Sequence, residues 1–464
     1  LKVPVAFQLL SALSAHELNQ LEMFLSSPAI NRRQEMPALL KWWRTHRYTR
    51  TDKKAIYEQV FEGQAFRSQE WYLLLSRFTR LVELFMVWQE IRTEEQGLYP
   101  FLLGSLRSRQ KPLLFQRSMK QAVRLHKKRG QHTAQQLHYA YQLEQLHYDY
   151  IASYDRQSRT NLQEMSDRLD EFFIAEKLKQ ACLEYSRFIT NQEKYDIHFL
   201  EEIERQIIHR PDLRAVPAVE VYYACYLAVV KGGSRPAFET LRKAMSRHQQ
   251  GFPKQEMRDL YLLATNYCIR SLNKGEEDFA KEAFSLYEQS LNEGYLLEDG
   301  HMPESTFGNI VSLGLKLEQY EWVETFISSQ RRFLKPEVRD SISSYNSAKL
   351  AYERGDLKVA LQLLATVEAR QPFLYFGTKT LQLKAFYELG EWDALDSLLE
   401  SWRVYLQRHP DLGYHRAHYQ LLLQFTRRLI QLAPMDHASK AALKKDIEAA
   451  RSFRERPWFL LKLE

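Results

Sequence analysis

One spacing constrains this chain more than any other feature. Trp322, Leu357 and Trp392 stand 35 residues apart, and each opens a run of apolar residues at helical intervals. Leu357 is followed by Ala360, Leu361 and Leu364, and Trp392 by Leu395 and Leu399. Before each run lies a short turn: Gln319-Tyr320-Glu321, Gly355-Asp356 and Gly390-Glu391. Gly232-Gly233 and Gly275-Glu276 extend the scheme toward the N-terminus, at the longer spacings of 43 and 45 residues. A unit of two helices and a turn cannot bury its apolar face alone, so a chain that repeats it must stack the copies. The expected fold class is therefore all-α, with helix pairs stacked in order.

Seven residues before the turn glycines come Cys225, Cys268, Ala348 and Leu383. Seven residues is about two helical turns, so these positions share one face of each first helix. Small side chains there let neighbouring helices approach, which makes two of the cysteines structural. The three cysteines, Cys182, Cys225 and Cys268, are odd in number and far apart. That argues against a disulfide framework, shows no metal-site spacing and fits a reducing cytoplasm.

The segment Tyr345-Asn-Ser-Ala-Lys-Leu-Ala-Tyr-Glu-Arg-Gly-Asp-Leu-Lys-Val-Ala-Leu361 resembles a tetratricopeptide repeat, and Leu381–Leu399 is similar, with Leu395 where a small residue is usual. Asn161-Leu-Gln and Asn266-Tyr-Cys-Ile-Arg270 also resemble segments of an uncharacterised helical family of Bacteroidota-type bacteria, which brings no known activity. The tetratricopeptide resemblance implies a right-handed solenoid of antiparallel helix pairs whose first helices line a concave groove. In that register Lys349 lies over Lys384 and Tyr352 over Tyr387, with Tyr345 one turn earlier. The five residues suit an extended peptide bearing carboxylates, because Lys supplies charge and Tyr supplies broad contact with one polar handle. Packed tyrosines and solvated lysines are the plainer alternative.

The remaining chain reads as helices without a demonstrable repeat. Residues 1–105 form an N-terminal unit, in which Ser14-Ala-His-Glu17 is a capping box. Helices over Met36–His46 and Thr51–Phe61 follow, and Ser68 opens a helix apolar on most of its circumference. Such a helix reads as buried rather than as one that meets DNA bases. Residues 106–210 carry long helices broken at Arg129-Gly130 and Asp155–Thr160, and Pro211–Pro217 marks the clearest boundary. The repeats occupy 211–433, and 434–464 is a capping helix with an apolar tail that packs over the last repeat.

Net charge is +7, yet no acidic residue occurs between Gly97 and Leu143, a window holding nine Lys and Arg residues. Arg117, Lys120, Arg124, Lys127 and Lys128 recur at three- and four-residue steps and form one helical stripe. A stripe of this kind meets the phosphates of a nucleic acid or an anionic membrane face. Its blander readings are a solvated face or a contact with acids of the same chain. No apolar run reaches membrane-spanning length, and Leu1–Leu10 lacks the marks of a signal peptide. Leu1 is not an initiator methionine, so residues ahead of it, or a processed leader, are expected.

No phosphate loop, dinucleotide fingerprint or zinc-protease motif is present. Glu144-Gln-Leu-His147 has the spacing of di-metal bundles but stands alone, where such bundles need a second copy and two more Glu. His415 and His418 share a helix face without a nearby carboxylate or Cys. No catalytic residue, metal or cofactor is therefore expected. The sequence reads as a cytoplasmic, non-enzymatic scaffold that binds a protein or peptide. The alternative is a nucleic-acid-associated or regulatory protein acting through the basic 107–129 stripe.

Overall fold

The computed structural model describes residues 3–46, 53–93, 95–130, 132–154, 157–368, 372–408, 414–432, 437–450 and 453–464, without the side chains of residues 93, 95, 190, 372, 373, 414 and 415. Among them the chain is all-helical, and an isolated bridge between Glu298 and His301 is the one β-type pairing. None of the described helices is long and apolar enough to cross a membrane. The chain divides into two compact units, residues 1–226 with 241–252 and residues 227–240 with 253–464.

Unit 1 begins with α1 (Val5–Ser11), α2 (Ala15–Leu25), α3 (Glu35–His46), α4 (Lys53–Val60) and α5 (Ser68–Thr93). The capping box at Ser14 starts α2: Ser14 Oγ accepts from the Glu17 amide, and the Ser14 amide donates to the Glu17 carboxylate at 2.7 Å. One face of α5 carries Trp71, Leu74, Phe78, Val82 and Phe85 into a core shared with Phe7, Leu40 and Tyr57. The opposite face corrects the expectation of a fully buried helix, since Tyr72, Leu73, Leu84, Val87 and Trp88 are exposed. The sequence pattern showed that the helix is apolar but not how much of it the short helices before it can cover.

The unit continues with α6 (Glu95–Ser108), α7 (Pro112–Arg129), α8 (Ala134–Tyr154), α9 (Leu162–Asn191), α10 (Leu200–His209), α11 (Pro211–Arg214) and α12 (Pro217–Cys225). Gly130 ends α7 in the left-handed conformation that favours glycine. α6 and α7 pack on α8 through Leu103, Phe115, Ala122 and Leu143, with the Phe115 and Tyr150 rings stacked at 4.1 Å. A polar knot pins the same contact: the Tyr139 hydroxyl donates to the Gln96 carbonyl and Gln96 Nε2 donates to Gln136 Oε1. Pro211 and Pro217 each sit at the first turn of a helix, where a missing N–H costs nothing. The unit border falls beyond them, at Tyr226–Leu227.

α13 (Arg235–His248) contributes residues to both units. Unit 2 follows with α14 (Lys254–Asn273), α15 (Phe279–Asn292), α16 (Glu304–Lys316), α17 (Tyr320–Gln330), α18 (Arg339–Glu353), α19 (Leu357–Ala365), α20 (Pro372–Leu389), α21 (Trp392–Arg408), α22 (Tyr414–Ile430), α23 (His437–Ala449) and α24 (Arg456–Lys462). Each helix packs on the next, and α18 also touches α16 and α20. Gly275, Gly355 and Gly390 turn the chain at positive φ, and Glu318 takes that conformation where the glycine is missing. Cys268, Ala348 and Leu383, two helical turns before these glycines, are fully buried. Gly314 shows how closely the helices approach, since a Cβ there would lie 2.5 Å from Val323.

The end of the chain closes this unit. Phe459 and Leu463 of the last segment are buried in a core with Trp402, Leu422, Phe425 and Leu443. Phe459 is fully buried, its ring 5.5 Å from Phe453 and 6.1 Å from Phe425. Phe459→Ala should cost unit 2 about 3–5 kcal/mol, read as a lower urea midpoint. Leu461→Ala, at a residue 61% exposed, should stay within about 0.5 kcal/mol. Equal effects would contradict the packing described.

Candidate functional site

Five groove residues were expected together, and the structure brings them together on two adjacent helices. Tyr345, Lys349 and Tyr352 project from α18, and Lys384 and Tyr387 from α20. Gly377 on α20 lets Tyr345 lie close, since a Cβ there would meet the Tyr345 hydroxyl at 2.4 Å. The chain's own C-terminal segment lies against these residues, and most of the expected binding groups are engaged.

Glu455 forms an ion pair with Lys384. Trp458 Nε1 donates to the Tyr352 hydroxyl at 3.0 Å and to Glu388 Oε1 at 2.8 Å. Tyr352 in turn donates to Glu388 at 2.7 Å, and Lys462 pairs with the same carboxylate at 3.0 Å. The Trp458 ring meets Tyr387 edge-on at 5.3 Å, and the Lys384 and Lys462 ammonium groups each lie 5.8 Å from its centre. Burial alone would raise the Glu388 carboxyl, but the bonds from Tyr352, Trp458 and Lys462 hold it below the usual range. Burial and the bond to Glu388 push the Tyr352 hydroxyl far up. Glu388, Glu455 and Trp458 were not singled out from sequence. Glu388 lies one turn beyond Lys384, a signal that the repeat register did contain.

Lys349 differs from its neighbours. It is half-buried, donates to Ser312 Oγ on α16 and lies 5.9 Å from the centre of the Tyr345 ring. No carboxylate among the described residues reaches ion-pair distance of it. Burial brings its amine down to about 8, with Glu353 acting in the opposite direction. Burial also raises the Glu353 carboxyl, opposed by Lys384 and Lys349. Lys349, Lys384, Glu353 and His418 line a common cavity of about 340 Å³.

The second expected surface is the stripe on α7. Arg117, Lys120, Arg124, Lys127 and Lys128 are all exposed, and none forms an ion pair among the described residues. Their helix buries Phe115 and Ala122 on the other face, so packing and charge are cleanly separated. Exposed Leu113 lies on the charged side, one turn before Arg117. Nearby cations are treated differently: Arg107 pairs with Asp149, and Arg129 donates to Gln96. An acidic patch of the same chain as partner to the stripe is thus not found among the described residues.

The other candidates have structural surroundings. Glu144 accepts from Asn161 Nδ2 at 2.7 Å, which ties α8 to the start of α9, and stands 4.0 Å from His147. The His415 side chain lies outside the described residues. No group of three or more His, Cys, Asp or Glu converges among them as a metal site. All three cysteines are buried free thiols. The Cys182 thiol donates to the Tyr222 carbonyl at 3.9 Å, and the neighbouring Cys225, 43 residues away in sequence, together with burial pushes the Cys182 thiol up. Sequence separation hid this meeting of α9 and α12. Comparison with protein-family models, with curated proteins and with solved structures finds no match to the chain.

Proposed function

We propose that the chain is a non-enzymatic helical-repeat scaffold of the cytoplasm that holds a nucleic-acid backbone along the basic face of α7. The supporting observation is the state of the cations there: five on one face, exposed and without a partner among the described residues. From Arg117 to Lys128 the stripe runs for about 16 Å, the axial length of about five nucleotides of one strand. Lys and Arg at such a surface gain by releasing the counterions condensed on the polyanion. In this reading α14–α21 stack as tetratricopeptide-like antiparallel pairs in a right-handed solenoid. Three buried, reduced cysteines suit a cytoplasmic setting. The test is fluorescence anisotropy with labelled single-stranded RNA and duplex DNA at low salt. The triple variant Arg117→Glu, Lys120→Glu, Arg124→Glu should weaken binding at least about a hundredfold. Unchanged binding, or none by the wild type, would contradict the proposal.

A second reading, an extended peptide in the groove of unit 2, is favoured by what that groove already holds. An acid on Lys384 and a tryptophan between Tyr352 and Tyr387 are a segment of the expected chemistry. On this reading an outside peptide with a Glu three residues ahead of a Trp competes with Glu455 and Trp458. Trp458→Ala in the full chain should then bind a labelled copy of residues 453–464 at least tenfold more tightly than the wild type does. Equal affinity, or no binding to either protein, would count against it.

A further inference from the structure

The cavity under the C-terminal segment has a chemistry of its own. Its volume of about 340 Å³ is at the small-molecule end of the range for ligand pockets. Its walls come from α16, α18, α20 and α22, with Arg454 and Glu455 of the C-terminal segment at the margin. Three kinds of group face the space. Tyr345 and Tyr419 give it aromatic sides, Ser312 and Thr380 give it hydroxyls that donate to the Gly308 and Phe376 carbonyls, and Lys349, Lys384 and Arg454 with Glu353 and Glu455 give it charge. The charge is the informative part.

Lys384 has Glu455 as its counter-ion, while Lys349 has a hydroxyl and an aromatic ring and no carboxylate in contact among the described residues. A partly dehydrated ammonium without a counter-ion carries a desolvation cost that an anion beside it would offset. Nothing requires a lysine at that place for packing, since a Met would fill similar volume without the cost. Glu353 lines the same cavity and acts on Lys349 only from beyond ion-pair distance. Across the lining Lys349, Lys384 and Arg454 face two acids, Glu353 and Glu455, so one further negative charge balances it, and the aromatic walls call for an apolar body behind that charge.

We propose that this cavity binds a small aromatic or aliphatic monocarboxylate, with the carboxylate on Lys349 Nζ and the apolar body between Tyr345 and Tyr419. The site is complete with the C-terminal helix in place. It therefore stands apart from nucleic-acid binding on α7, and from a peptide that would displace that helix.

The interaction has a pH signature. Only the protonated amine attracts the carboxylate, and burial places the Lys349 amine at about 8. Affinity is thus full below that value and lost as pH rises through it, by at least tenfold between pH 7 and pH 9.5. The other groups that face Lys349 are Glu353, Tyr345 and Tyr352 on its own helix and Lys384 on α20. His418 and Tyr419 come from α22, and Arg454 and Glu455 from the C-terminal segment. Burial pushes the Tyr345 and Tyr352 hydroxyls far above the pH range in question, so neither competes for this signature.

The experiment is calorimetric and NMR titration of the full chain with benzoate, with benzyl alcohol as the uncharged counterpart and inorganic phosphate as the small anion. Wild type should bind benzoate saturably, at least tenfold more tightly than either control. Lys349→Met should lose at least tenfold in benzoate affinity while melting at or above the wild-type temperature. Should that variant fail to fold, the wild-type comparison of benzoate with benzyl alcohol, and its loss at pH 9.5, still decides. No saturable benzoate binding, equal binding of benzyl alcohol or phosphate, or an unchanged affinity in folded Lys349→Met would each overturn the proposal.

Discussion

The apolar face that α21, α22 and α23 share must be covered if it is to leave water. In unit 2 the cover is α24, and the arrangement around it depends on the helix having two different sides. Phe459 enters the core of α21–α23, while Trp458, the next residue back, turns toward α18 and α20. Burial of the phenylalanine supplies the stability. The indole N–H, with Lys462 and Glu455, supplies partners for groups that would otherwise be dehydrated without them. Closing this core and engaging Tyr352, Lys384 and Glu388 are thus one event.

Three groups of cations differ in their partners. Lys384 and Lys462 are neutralised from within, by Glu455 and Glu388. Lys349 keeps its charge inside a cavity, and the five cations of α7 keep theirs on the surface. A fold that has acids available and leaves particular cations without them directs those cations to something outside the chain. Under the proposed readings that is, in unit 1, an extended anion along a helix face and, in unit 2, a small one that fits the space beneath the C-terminal segment.

What could be read from sequence was mostly local. The Ser14 capping box, the Gly130 stop and the turn glycines depend on residues within one or two turns, and they stand where the pattern placed them. Cys268, Ala348 and Leu383 share a buried position because helical periodicity carries reliably over seven residues. The gathering of Tyr345, Lys349, Tyr352, Lys384 and Tyr387 followed from register alone. Their engagement by Trp458 did not, since 106 residues separate it from Tyr352. Cys182 met Cys225 for the same reason, through packing of α9 on α12. The exposed side of α5 was misread because an apolar helix reveals its composition but not the size of what covers it.

The account rests most heavily on the unpartnered charge of α7, and the dependence of nucleic-acid affinity on salt measures that charge directly. Five phosphate contacts predict a slope of about −4.5 in log affinity against log salt for duplex DNA. Replacing all five residues with Gln should bring the slope near zero. A wild-type slope shallower than about −1, or one that the five substitutions leave unchanged, would contradict the central claim.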